Sequence, residues 1–131
     1  MRQAGRFLPE YRAVREKHTL LEICAEPELT TEVTLQPIRR FEMDGAIIFA
    51  DILLPLVPMG IDLAFIPDVG PSIANPIRTL EDVEALRPID PHEALAPTLT
   101  ALGLVRAELP SETALIGFAG APFTLASYLI E

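Results

Sequence analysis

The sequence predicts an α/β protein built on a parallel sheet, and three features carry that prediction. Two short, unbroken apolar runs, Gly45-Ala46-Ile47-Ile48-Phe49 and Ala114-Leu115-Ile116-Gly117-Phe118, read as strands buried on both faces. Helical patterns flank each run, and buried strands alternating with helices indicate a parallel sheet. No repeat, low-complexity tract or linker interrupts the 131 residues, so residues 1–131 read as part of one domain. A complete βα barrel needs roughly 250 residues; this chain supplies about half of one and stops inside a helix.

Pro9 to Lys17 reads as a short helix with proline at its start. Pro27 to Arg40 reads as a second. Leu29, Val33, Pro37 and Phe41 recur there at i+4, Thr30, Thr31 and Arg39 are expected on the surface, and Pro37 is expected to kink the helix or begin a new turn. Residues 51–76 hold five prolines and two glycines, an irregular excursion with one expected strand, Asp62 to Ile66. Thr79-Leu80-Glu81-Asp82 starts a helix with an N-cap and acids in its first turn. Asp90-Pro91 starts another, with Leu95, Leu99, Leu102, Val105 and Leu109 as its apolar stripe; Pro97 inside it is an unplaced cost. Ala119-Gly120-Ala121 reads as a tight turn, and Pro122 to Glu131 as a helix.

Half of the residues are apolar and 22% are charged, which excludes a disordered chain. Ten basic against nineteen acidic residues leave a net charge of −9, a poor basis for binding nucleic acid or an anionic membrane. The charge is uneven: residues 1–40 hold seven of the ten basic groups and only six acids, so an anionic ligand is expected to meet the chain there. Cys24 is the single cysteine and reads as a buried structural thiol among Leu20, Leu21 and Ile23. His18 and His92 stand too far apart for zinc spacing. Apolar runs are too short to span a bilayer, and no signal core opens the chain, so a soluble intracellular protein is expected.

Arg2-Gln3-Ala4-Gly5-Arg6 sets two guanidiniums four residues apart around a glycine. Each can hold a carboxylate with paired hydrogen bonds, and Gly5 lets the backbone bend so that both converge; a frayed, solvated terminus is the competing reading. Asp51 follows the first strand directly, where α/β barrels place catalytic groups. Its apolar neighbours Phe49, Ile52, Leu53 and Leu54 make its ionisation costly without a partner, and a capping role is the alternative. Gly117 to Pro122 leaves room for a flat ligand or for a tight turn, and is no phosphate loop. Tyr128 follows on the next helix, with a half-buried core position as its alternative. Arg39-Arg40 reads as a solvated helix end, and Phe118 and Phe123 as core.

Four stretches closely resemble one family: Met1-Arg2-Gln3-Ala4-Gly5-Arg6-Phe7-Leu8-Pro9-Glu10-Tyr11-Arg12, Leu35-Gln36-Pro37-Ile38-Arg39-Arg40-Phe41, Ile47-Ile48-Phe49-Ala50-Asp51-Ile52-Leu53 and Ile116-Gly117-Phe118-Ala119-Gly120-Ala121-Pro122-Phe123-Thr124-Leu125. The family is that of the uroporphyrinogen decarboxylases. The resemblance implies a (β/α)8 TIM barrel, a cytoplasmic homodimer, no cofactor and no metal. It implies removal of four acetate carboxyls from uroporphyrinogen III to give coproporphyrinogen III. By motif, Arg2 and Arg6 would bind substrate carboxylates with Gln3 beside them. Arg2 would also anchor the departing carboxylate or help deliver the replacing proton. Asp51, with Phe49 next to it, would sit at the macrocycle centre as the catalytic carboxylate, and Tyr128 would contact substrate near a reacting acetate.

This sequence departs from the family at Phe7, usually tyrosine, and at Phe123, often tryptophan; both keep aromatic volume. It also lacks the segment before the first motif and everything after the Tyr128 helix. A serine and a histidine that contact substrate in complete enzymes are among what is missing. The chain is therefore expected to be a fragment, inactive alone. The alternatives are a cobalamin-dependent methyltransferase of the same superfamily and a non-catalytic truncated chain; the Arg2–Arg6 motif disfavours the first, since a neutral thiol acceptor does not need it.

Overall fold

The computed structural model describes residues 5–67 and 69–130. They form two compact units. One comprises Met1–Asp51 with Ala96–Phe118, the other Ile52–Leu95 with Ala119–Glu131.

The first unit holds helices α1 (Pro9–Arg15), α2 (Leu20–Ala25), α3 (Pro27–Phe41) and α6 (Ala96–Glu108), with strands β1 (Gly45–Ile47) and β4 (Ala114–Ile116). β1 and β4 pair in parallel, with Gly45 opposite Ala114 and Ile47 opposite Ile116. Hydrogen bonds from Ala114 N–H to Asp44 C=O (2.9 Å) and from Ile48 N–H to Ile116 C=O (3.0 Å) extend the ladder. Ala46 and Ile48 turn one sheet face toward the helices, where Leu35, Ile38, Ala101, Val105 and Leu109 close the core. The opposite face stays open: Ala114 is exposed and Ile116 is 48% exposed. Both strands are shorter than expected, and only the helix-facing side is fully buried, because among the described residues helices cover only that side.

Helix α3 begins with Pro27, whose missing N–H costs nothing there. It runs through Pro37 to Phe41 and ends on Glu42 in the left-handed conformation (φ +49°). Thr30 and Thr31, expected on the surface, are 1% and 5% exposed. Their hydroxyls donate to the carbonyls of Ile23 and Pro27, each at 2.7 Å, which removes the polar cost of burying them. Helix α2 is an element the sequence reading missed. Its signal is a capping box: Thr19 Oγ1 accepts from Glu22 N–H and Glu22 Oε2 accepts from Thr19 N–H.

Pro97 finds its place as the second residue of α6, where no intrahelical donor is needed; the expected single helix from Asp90 breaks at Leu95 into α5 (Pro91–Ala94) and α6. Most of the expected stripe holds: Val105 and Leu109 are buried and Leu102 packs against the core, with Ala101 beside them, whereas Leu99 is exposed. Arg106 donates to the carbonyls of Leu109, Pro110 and Thr113 and so fastens the turn into β4. Arg39 and Arg40 are not simply solvated: Arg39 bridges Glu32 and Glu108, and Arg40 pairs with Glu10. These pairs are about half exposed and contribute little each.

The second unit contains a 3-10 turn at Leu54–Leu56, an antiparallel hairpin of β2 (Leu63–Ile66) and β3 (Gly70–Ile73), helix α4 (Leu80–Glu84), helix α5 and helix α7 (Pro122–Ile130). β3 was not foreseen, because its Gly70-Pro71 start argues against a strand interior. Asn75 ties the hairpin base, accepting from Asp62 N–H and donating to Gly60 C=O. Thr79 is the expected N-cap of α4, and with Asp82 it closes a capping box. Phe123, expected in the core, is 84% exposed on α7, and Phe118 at the end of the first unit is 49% exposed; neither finds an apolar surround among the described residues.

The fold makes a stability contrast measurable. Leu35→Ala should cost about 3 kcal/mol of unfolding free energy, since it opens a cavity in the core. Leu99→Ala should change it by less than about 0.5 kcal/mol, as expected for a surface site. Chemical denaturation of the two variants checks both values.

Candidate active site

Arg2 and Gln3 lie outside the described residues. Gly5 sits with φ +53°, a conformation that side chains disfavour, and a Cβ there would stand 2.5 Å from Leu8 Cδ1 and 3.6 Å from Pro37 Cβ. The Leu8 N–H donates back to Gly5 C=O at 2.7 Å. The chain thus turns sharply against α3. Two more contacts hold the same segment: the Phe7 ring lies 6.2 Å from that of Phe41, and Arg40 pairs with Glu10. The turn leaves Arg6 exposed, where its guanidinium can meet an anion.

Asp51 stands four residues beyond β1, at its C-terminal end, and is half-buried. The segment leading to it leaves the sheet at Ile48. The Phe49 N–H then donates to Thr34 Oγ1 at 2.9 Å, inside the protein. The Phe49 ring is 3% exposed and packs 5.9 Å from that of Tyr11. Its ring is therefore closed to a ligand, and its part in a site is to fix the path of the chain.

The Cys24 thiol marks where these segments meet. Burial pushes it up to about 12, and the nearby Asp51 carboxylate adds to the rise. The Asp51 backbone N–H, Arg6 and Arg15 oppose it. Asp51 and Arg6, far apart in sequence, therefore both act on one buried sulfur. The expectation of a structural thiol holds, but its nearness to Asp51 has no sequence signal. Thr34 is likewise a residue the sequence reading missed; three threonines within one helix, at 30, 31 and 34, were the available hint.

Tyr128 is 41% exposed on α7 and presents its ring at the surface of the second unit. Gly120 has a packing reason: a Cβ there would come within 2.8 Å of Leu125 Cδ2 and 3.1 Å of Ile52 Cβ. This supports the tight-turn reading of that stretch. A cleft of about 580 Å³ lies at the opposite, N-terminal end of β1 and β4. Glu42, Asp44, Glu108 and Glu112 line it with Arg39, which is already paired to Glu32 and Glu108, so it repels anions. Among the described residues no cluster of three or more His, Cys, Asp or Glu could hold a metal ion.

The raised thiol makes Cys24 inert. Its neutral form is favoured in the fold, so this contribution to stability is complete below the unfolded value of 9.0 and fades as pH rises from there through about 12. Alkylation with iodoacetamide at pH 8 should label Cys24 only after denaturation, as followed by intact mass.

The sequence pattern of the uroporphyrinogen decarboxylase (URO-D) family matches residues 1–131. The uroporphyrinogen decarboxylases of Mycobacterium marinum and Mycobacterium ulcerans are each 60% identical over 131 residues, covering 100% of this chain and 36% of theirs. That of Mycobacterium tuberculosis H37Rv is 58% identical over the same range. The chain thus spans about a third of the length of these relatives, less than the expected half. A solved methyltransferase from Methanosarcina mazei superposes with a TM-score of 0.68 at 20% identity, over 84% of this chain and 34% of its own. That likeness is one of fold, and fold alone does not choose a reaction. The match of the family pattern to residues 1–131 does settle the family: this chain belongs to the uroporphyrinogen decarboxylase family.

Proposed function

We propose that this segment builds the substrate-carboxylate and macrocycle-centre part of a uroporphyrinogen decarboxylase. The reaction converts uroporphyrinogen III to coproporphyrinogen III within a cytoplasmic, homodimeric (β/α)8 barrel. The observation that carries the proposal is the half-buried Asp51, set just past the C-terminal end of β1, in a chain of that family.

The chemistry asks for these groups. The substrate carries eight carboxylates, and an acidic protein needs a dedicated arginine patch to hold it. Arg2 and Arg6 supply that patch, with Gln3 beside them. Protonation of a pyrrole carbon makes the ring an azafulvenium-like cation. The adjacent acetate then breaks its C–C bond, the electron pair returns to the ring, and CO₂ leaves. A proton takes the vacated position and the ring carbon gives up the proton it had gained, so each CH₂COO⁻ ends as CH₃, one proton is consumed and the neutral pyrrole returns. Asp51 accepts the pyrrole N–H groups and stabilises the cation where charge develops. Arg2 holds the departing carboxylate or helps deliver the replacing proton, and Tyr128 contacts substrate beside a reacting acetate. Phe49 contributes through its backbone. The pyrrole is its own electron sink, so the scheme calls for no cofactor.

The test uses a chimera in which this chain replaces the matching segment of the M. marinum enzyme, assayed for coproporphyrinogen. The chimera should form product, and the 131-residue chain alone should not. Asp51→Asn should lower turnover by about 100-fold or more with the fold retained. A folded chimera that forms no coproporphyrinogen overturns the proposal. Gly5→Ala should raise KM about tenfold with little change in kcat, because the strained turn displaces Arg6 from the substrate carboxylates. Steady-state kinetics on the chimera separates the two constants.

A further inference from the structure

The sheet does not reach Asp51. The last ladder bond on the β1 side runs from Ile48 N–H to Ile116 C=O. The next amide, Phe49 N–H, turns away to Thr34 Oγ1 at 2.9 Å. Thr34 is 2% exposed and Phe49 3%, so no solvent competes for that bond. The Thr34 hydroxyl hydrogen is committed elsewhere, donated to Thr30 C=O at 2.7 Å. Its oxygen is therefore oriented as an acceptor toward Phe49.

The relay continues one step further. The Thr30 hydroxyl donates to Ile23 C=O at 2.7 Å, and Thr30 is 1% exposed. Ile23 precedes Cys24, whose thiol accepts the Asp51 backbone N–H. The two amides that flank Ala50 are thus fastened to α3 and α2, and the two helices are fastened to each other. A threonine that only needed its hydroxyl satisfied would stop at the i−4 carbonyl. Thr34 also takes the first amide after the ladder ends, two residues before the carboxylate.

We propose that Thr34 is a positioning residue for the Asp51 carboxylate, acting through the Phe49 amide. The proposal rests on the reading of Asp51 as the charge-stabilising group. Valine at position 34 keeps the shape but offers no acceptor, so the Phe49 amide must shift to find one. A shift of this kind moves the carboxylate relative to the macrocycle and acts on the transition state more than on substrate binding, which the arginines govern.

The experiment compares Thr34→Val, Thr34→Ser and Asp51→Asn in the M. marinum chimera, singly and in combination. Thr34→Val should lower kcat by about tenfold or more and leave KM within about twofold. Thr34→Ser keeps the hydroxyl and should return kcat to within about threefold of the parent. In the Asp51→Asn background Thr34→Val should cost less than about twofold further, because the group it positions is already neutral. Should Thr34→Val not fold, Thr34→Ala against Thr34→Ser decides in the same way.

Parent-like kcat in folded Thr34→Val, beside a large loss in Asp51→Asn, overturns the proposal and leaves the role of Asp51 standing. A full, additive loss in the double variant also overturns it and makes Thr34 a packing residue only. Parent-like turnover in Asp51→Asn itself overturns the role of Asp51, and this proposal with it.

Discussion

One face of α3 organises the first unit. Thr30, Thr34, Pro37 and Phe41 recur at spacings of four, three and four residues, which places them along one side of the helix. Each position holds a different segment. Thr30 takes the carbonyl of Ile23 on α2, Thr34 the amide of Phe49, Pro37 the turn at Gly5 and Phe41 the ring of Phe7. An adjacent row, Leu35 and Ile38, packs into the core beneath the sheet. The helix therefore buries apolar surface on one side and sets two distant loops on another. A helix suits this role because its backbone satisfies its own hydrogen bonds and leaves its side chains free to fix other segments.

Charge is distributed with the same economy. The chain is acidic as a whole, yet its first forty residues are slightly basic. Arg39 and Arg40 are drawn into ion pairs with Glu32, Glu108 and Glu10 on the outside of the helices. Such exposed pairs add little stability, but they keep two guanidiniums tied to the scaffold. The cleft at the N-terminal end of β1 and β4 is acidic, lined by Glu42, Asp44, Glu108 and Glu112. The polarity matches the general rule for parallel αβ architectures, in which chemistry gathers at the C-terminal ends of strands and the opposite end serves stability.

The structural likeness to a methyltransferase and the sequence likeness to decarboxylases answer different questions. A parallel strand pair backed by two helices is a scaffold that many reactions share. What distinguishes a reaction is the identity of a few side chains at the strand ends. A carboxylate just past β1 and an exposed guanidinium next to a glycine turn are the side chains this chain adds to that scaffold.

Much of this was legible in the sequence, and the remainder was not for definite reasons. The apolar runs announced the strands, the prolines and caps announced most helix starts, and the motifs around Arg6 and Asp51 announced the family. The strand ends were overestimated because periodicity cannot see an amide leave its ladder for Thr34. Thr30 and Thr31 were misplaced because composition marks threonine as polar, whereas a carbonyl within reach, that of Ile23 on α2 for Thr30 and that of Pro27 one turn back for Thr31, makes each a core residue. Helix α2 and strand β3 were missed because a short helix and a Gly-Pro strand carry weak local signals.

The sequence by itself determined the α/β class, the polarity of the chain and the residue types available for chemistry, since these depend on local pattern and charge. Only the tertiary structure decided that Gly5, Phe49 and Asp51 are held by α3 and α2. Those holds are hydrogen bonds and contacts between residues far apart in sequence, and no local pattern encodes them.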